Sequence, residues 1–223
     1  MPQKTFVCLA NSFKHGGRCV AGIEIVNGGF GPWIRPVSHR PGRGLNHGER
    51  SYANGTECAL LDVIEADFDE HAPDGYQSEN WLITEGSRWR KVGSVGADEL
   101  APVIHHGNGP LWPHTGSTGG GQNDKIDAAN LGALNNSLAL VRLDTCQFTV
   151  RANPFNDNRL DVRVIFTWGG QRNNLKVTDP SICHALQNQG AGVYDAQDAT
   201  MCVSVGEVFA ARNEAYKLVA SVF

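Results

Sequence analysis

The chain has 223 residues, enough for one large domain or two small ones, and 41% of them are hydrophobic, which excludes a disordered chain. A formal net charge of -4 excludes a general polyanion coat, so any anion site must be local. The six cysteines lack any CxxC pair in a chain too long to need staples, so reduced, mostly buried thiols are expected.

Near the start, residues 6–10 form an apolar run too short for a signal-peptide core or a membrane span, and later runs are soon cut by charge. A cytoplasmic protein with no membrane role is expected. Twenty-six glycines and ten prolines divide the chain into short pieces rich in Val, Ile, Phe and Thr, which reads as mainly β. Strands are expected at residues 5–10, 18–26, 33–36 and 57–68. A second set follows at residues 137–151, 160–167, 174–177, 199–205 and 215–223. Between residues 153 and 158 the turn-forming run NPFNDN predicts a hairpin. The centre, IHHGNGPLWPHTGSTGGGQNDK at residues 104–125, reads as a long Gly-rich loop, with Asp127 capping a short helix after it. Two small barrels of about a hundred residues each fit this pattern.

Charge is unevenly placed. Between residues 14 and 50 stand Lys14, Arg18, Arg35, Arg40, Arg43 and Arg50 against Glu24 and Glu49, whereas residues 51–87 hold no Lys or Arg and nine carboxylates. The basic stretch includes GGRCVAGIEIVNGGFGPWIRPVSHR, where arginine forks and glycine backbone suit a phosphate. Lys14, Arg18, Arg35 and Arg40 are the expected phosphate ligands. Trp33 or Trp81 is expected to stack on a base, with Ser38, His39 and Asn80 hydrogen bonding to it. Ion pairing of Arg18 and Arg35 with the acidic segment is the alternative, and it needs no ligand.

Other chemistries leave weaker traces. His105, His106 and His114 lack the spacing of a zinc site, and Asp67, Asp69 and Glu70 do not match a calcium loop. There is no GxSxG elbow, and GSTGGGQNDK lacks the ending of a P-loop. No catalytic residue, metal or cofactor is therefore assigned.

In order along the chain, CLANSFKHGGRCVAG, WIRPVSHR, LLDVIEADFDEHAPDGYQSENWLI, CVSVGEVF and YKLVASVF resemble the bacterial dual-OB domain proteins. These are small soluble proteins with two OB folds in tandem, found beside prokaryotic defence and DNA-processing systems. The resemblance implies two OB-like barrels, at residues 1–103 and 126–223, with the Gly-rich linker 104–125 between them and one or two short helices. It also implies nucleic-acid or nucleotide binding, at Lys14, Gly16, Gly17, Arg18, Arg35, Ser38, Arg40, Glu79, Asn80 and Trp81 where the motifs match. The expected function is recognition of a single strand, an end or a modified nucleotide, with a protein partner from a defence system. One rival is a pocket for a small phosphorylated nucleotide. Another is a nucleotide-acting hydrolase using Glu79 or His39 as acid or base.

Overall fold

The structure is a computed structural model that describes residues 2–107, 109–113, 115–153 and 156–223. The chain divides into two compact units, Met1–Val103 and Ile104–Phe223. The first holds β1 (Gln3–Lys14), β2 (Gly17–Val26), β3 (Gly29–Val37), β4 (Asp62–His71), β5 (Asn80–Ile83) and β6 (Arg90–Ser94). Strands β1, β2 and β3 follow one another antiparallel, β3 runs parallel to β5, β5 pairs with β4, and β4 returns to β1. That circuit closes a five-stranded barrel, and β6 adds to β4.

Local patterning explains the barrel wall. In β4 the side chains alternate, so Ile64, Ala66 and Phe68 are buried while Val63, Glu65 and Asp67 lie half-exposed, the period of two that a pleated strand imposes. The core so formed includes Phe6, Val20, Ile34, Leu45, Ile64, Phe68 and Trp89. Trp89 meets Phe6 edge-on at 5.7 Å and 87°, a favoured aromatic geometry.

The second unit holds β7 (Thr115–Gly116), β8 (Lys125–Asp127), β9 (Leu138–Asn153), β10 (Asn156–Trp168), β11 (Gln171–Val177), the helix α1 (Pro180–Gln189), β12 (Gly192–Phe209) and β13 (Glu214–Val222). Here β9, β10 and β11 are antiparallel neighbours, β11 runs parallel to β13, and β13 pairs with β12, which returns to β9. The same five-stranded circuit is thus drawn twice, from two different sequences. In the second copy α1 fills the connection between the third and fourth strands.

Several expectations need adjusting. The strand expected from residue 57 begins at Asp62, and β5 and β6 were not expected as strands. The hairpin of β9 and β10 forms, though Pro154 and Phe155 of its turn lie outside the described residues. The Gly-rich stretch supplies β7 and begins β8, so it adds two strands to the sheet. After Asp127 the chain makes a 3-10 turn, Ala128–Ala133, without a side-chain cap. Helix α1 was missed although its ends are signed: Asp179 accepts the Ser181 and Ile182 N–H groups at 2.8 and 3.2 Å, Pro180 opens the helix, and Gly190 ends it. All six thiols are free, five of them buried and Cys19 half-buried. Among the described residues no helix is long and apolar enough to cross a membrane.

Candidate nucleic-acid interface

The turn from β1 to β2 is the place where the basic residues meet. Phe13 and Arg18 are cross-strand partners, and the Arg18 guanidinium lies 4.4 Å from the centroid of the Phe13 ring, which is 52% exposed. Arg18 and Leu45 exchange backbone hydrogen bonds of 2.9 Å in both directions. Arg40 donates through Nη2 to the Gly44 carbonyl, and the Lys14 stem passes so near Gly44 that an added Cβ there would stand 3.5 Å from Lys14 Cδ. Lys14, Arg18 and Arg40 therefore gather around Gly44 and Leu45, beside an open aromatic ring. An OB fold places its ligand contacts on strands two and three and on the loops flanking them, and this turn is the first of those loops.

Arg40 keeps 41% of its side chain exposed while one nitrogen stands 3.0 Å from Glu49. Ser38, which is buried, donates to Glu49 Oε1 at 2.7 Å and accepts the Arg40 N–H at 3.1 Å. Burial opposes ionisation of Glu49, yet the Asn46 N–H, the Ser38 hydroxyl and the Arg40 guanidinium together hold its carboxyl below the ordinary value. Ser38 thus orients Arg40 through a shared carboxylate. His39 is exposed and lies 3.0 Å from Asp69 Oδ2 and 3.1 Å from the Ile83 carbonyl.

The remaining expected site residues sit elsewhere. Arg35 is only 3% exposed and its Nη2 is 3.1 Å from Glu79 Oε1, equally buried, while its N–H donates to the Glu79 carbonyl at 2.8 Å. A charge so enclosed requires its partner, and Arg35 is held in this buried pair with Glu79. Asn80 is 1% exposed; its Nδ2 donates to Gln77 at 3.4 Å, and its Oδ1 has no hydrogen bond among the described residues. Trp81 is already in contact, with Lys4 Nζ 3.9 Å from the ring centroid, His71 at 5.0 Å and Phe68 at 6.2 Å. Trp33 lies half-buried on β3 opposite Ile23.

In the second unit a cavity of about 540 Å³ opens where β9, β10 and β12 meet the β10 to β11 turn. Arg142, Asp144, Gln147, Trp168, Arg172 and Asp195 line it. Gly169 and Gly170, at φ of 55° and 73°, make the two-residue turn that sets Thr167 opposite Arg172. His105 packs its ring 5.9 Å from Trp168; His114 lies outside the described residues.

Phe13, Trp168 and Arg172 were missed by sequence reasoning. The signal for Phe13 was its place beside Lys14 at a strand end, and for the other two the run TWGGQR, a glycine turn with an aromatic before it and a cation after it.

Two barrels of this circuit in one chain define a tandem OB-fold protein. The chain belongs to the dual OB-containing domain family, whose description matches residues 4–222. No curated protein and no solved structure matches it.

Proposed function

We propose that the chain binds single-stranded nucleic acid at the β1 to β2 turn of its first barrel. The observation that carries this reading is the exposed Phe13 ring with Arg18 beside it and Lys14 and Arg40 around the same loop. A base stacks on an aromatic face, and the adjoining cations neutralise the phosphates on either side of it. Lys14, Arg18 and Arg40 are the phosphate contacts, Phe13 is the stacking platform, and His39 is the nearby hydrogen-bonding group. Trp33 is a second aromatic on the strand-three face. The narrowness of the patch accords with an acidic protein that grips a short stretch of strand. Service in a prokaryotic defence or DNA-processing system is part of this proposal and rests on the family alone.

Fluorescence polarisation with labelled single-stranded DNA, single-stranded RNA and duplex DNA of graded length, each at two salt concentrations, tests it. Single strands are expected to bind with an affinity that falls with salt, and Arg18→Ala with Arg40→Ala lowers the salt slope by roughly 0.7 per lost contact. Unchanged binding to every polymer in the double variant overturns the reading.

A further inference from the structure

The cavity of the second unit carries chemistry that the strand patch does not use. Its lining includes two arginines, two aspartates and a tryptophan around apolar strand residues such as Ile165 and Phe166. Three of these polar groups are uncommitted. The Trp168 indole Nε1 is sealed from solvent and has no hydrogen bond among the described residues. An indole N–H can only donate, so it calls for an acceptor from outside the fold. The Arg172 and Asp144 side chains also make no hydrogen bond or ion pair among the described residues. Asp195 accepts from Gln147 Nε2 at 2.9 Å through one oxygen.

The sheet register sets Asp195 and Arg172 at opposite ends of the cavity, with Arg142 and Asp144 together on β9. Asp195 on β12 stands opposite Gln147 on β9, Gln147 opposite Ile165 on β10, and two residues further along β10 Thr167 stands opposite Arg172 on β11. Three interstrand steps, about 14 Å along the sheet, therefore lie between the outermost carboxylate and the outermost cation. A ligand that satisfies both ends has an anion at one end, hydrogen-bond donors at the other, and a body of intermediate length between them. A cavity of about 540 Å³ falls within the span of ligand pockets, about 300–1,000 Å³, and is far larger than a lone phosphate fills.

We propose that this cavity binds a nucleoside monophosphate, free or as the terminal residue of a strand. The phosphate lies on Arg172, Trp168 Nε1 donates to an oxygen of the ligand, and an amino-bearing base points toward Asp144 and Asp195. Carboxylates accept from the amino groups of adenine, cytosine and guanine, whereas the matching edge of uracil and thymine presents a carbonyl. The cavity is thus built to prefer the amino bases. It shares no residue with the strand patch, and either proposal stands without the other.

Isothermal titration of the full chain with AMP, GMP, CMP and UMP, with the matching nucleosides, and with inorganic phosphate tests the assignment. The expected result is one site per chain that favours amino bases over uracil. Removing the phosphate, or Arg172→Ala, weakens binding by about tenfold or more, the size of a lost charge-assisted contact. Trp168→Phe weakens it less, and Arg18→Ala leaves it unchanged. Thr145→Trp, which fills the cavity from an exposed wall position, abolishes it. A 5′-phosphorylated hexanucleotide compared with its unphosphorylated form, both in the Arg18→Ala background, distinguishes a strand end from a free nucleotide. No heat from any mononucleotide at millimolar concentration overturns the proposal. Binding that survives both Arg172→Ala and Thr145→Trp overturns it as well. Loss of oligonucleotide binding in Arg18→Ala with mononucleotide binding intact bears on the strand patch alone.

Discussion

Asp124 accepts a hydrogen bond from the Arg163 guanidinium at 2.8 Å, and this pair ties the Gly-rich segment to β10. The same carboxylate accepts from the Thr118 N–H and hydroxyl at 2.8 and 2.7 Å, and Gln122 exchanges backbone hydrogen bonds with Asn174 on β11. A stretch that composition marks as a loop is therefore bonded to the sheet just after its glycine run, and Thr118 before the run is tied back to the same Asp124.

Gly121 makes that closure sterically feasible. A Cβ there would stand 1.7 Å from Asp124 Oδ2 and 2.2 Å from Arg163 Nη2. Gly121→Ala is expected to part the pair, leave a 4%-exposed carboxylate without its cation, and cost about 2 kcal/mol. Urea denaturation reads the loss, and faster proteolysis within residues 117–122 localises it.

Lys217 underlies a pH dependence. It is 2% exposed, and its ammonium donates to Thr115 Oγ1 at 2.6 Å. Burial pushes its pKa from 10.5 down to about 8, with Asp124 acting in the opposite sense. Because the folded value lies below the unfolded one, the unfolded chain holds a proton between about pH 8 and 10.5 that the folded chain has released. Stability from this group therefore rises across that window, by on the order of 3 kcal/mol. Denaturation midpoints of wild type and Lys217→Met, measured from pH 7 to 10.5, should converge as pH rises, with the variant ahead at pH 7. Parallel curves would refute it.

Arg35 and Arg18 separate structure from binding. Arg35→Ala strands the Glu79 charge in a buried site and is expected to destabilise the first barrel by about 3–5 kcal/mol. Arg18→Ala is expected to lower the denaturation midpoint less than Arg35→Ala does while weakening strand affinity more. Thermal unfolding and polarisation on the same two proteins decide it.

Phe13→Ala should cost about 1–3 kcal/mol of strand affinity through lost stacking. Because the ring is 52% exposed, no comparable loss of stability accompanies it. A change in stability equal to the change in binding would argue against a stacking role.

The basic cluster was legible in the sequence because Lys14 and Arg18 stand on either side of a two-residue turn, Lys14 at the end of β1 and Arg18 second in β2, and a strand pair brings such neighbours together without long-range help. Arg35 was not legible. It sits on a strand among polar and aromatic residues like the others, and only Glu79, forty-four residues on, closes over it. Trp81 looked like a free ring for the same reason: Lys4 and His71 reach it from other strands.

The sequence by itself determined a mainly β chain and the basic turn, because each depends on local pattern and neighbouring strands. The tertiary structure decided which cations are buried and which are open. It also decided that the Gly-rich segment joins the sheet, and that Trp168, Arg172 and Asp195 share one cavity. These depend on pairing between residues far apart in the chain, and in a β fold that pairing is set by register and closure, which no single stretch of sequence records.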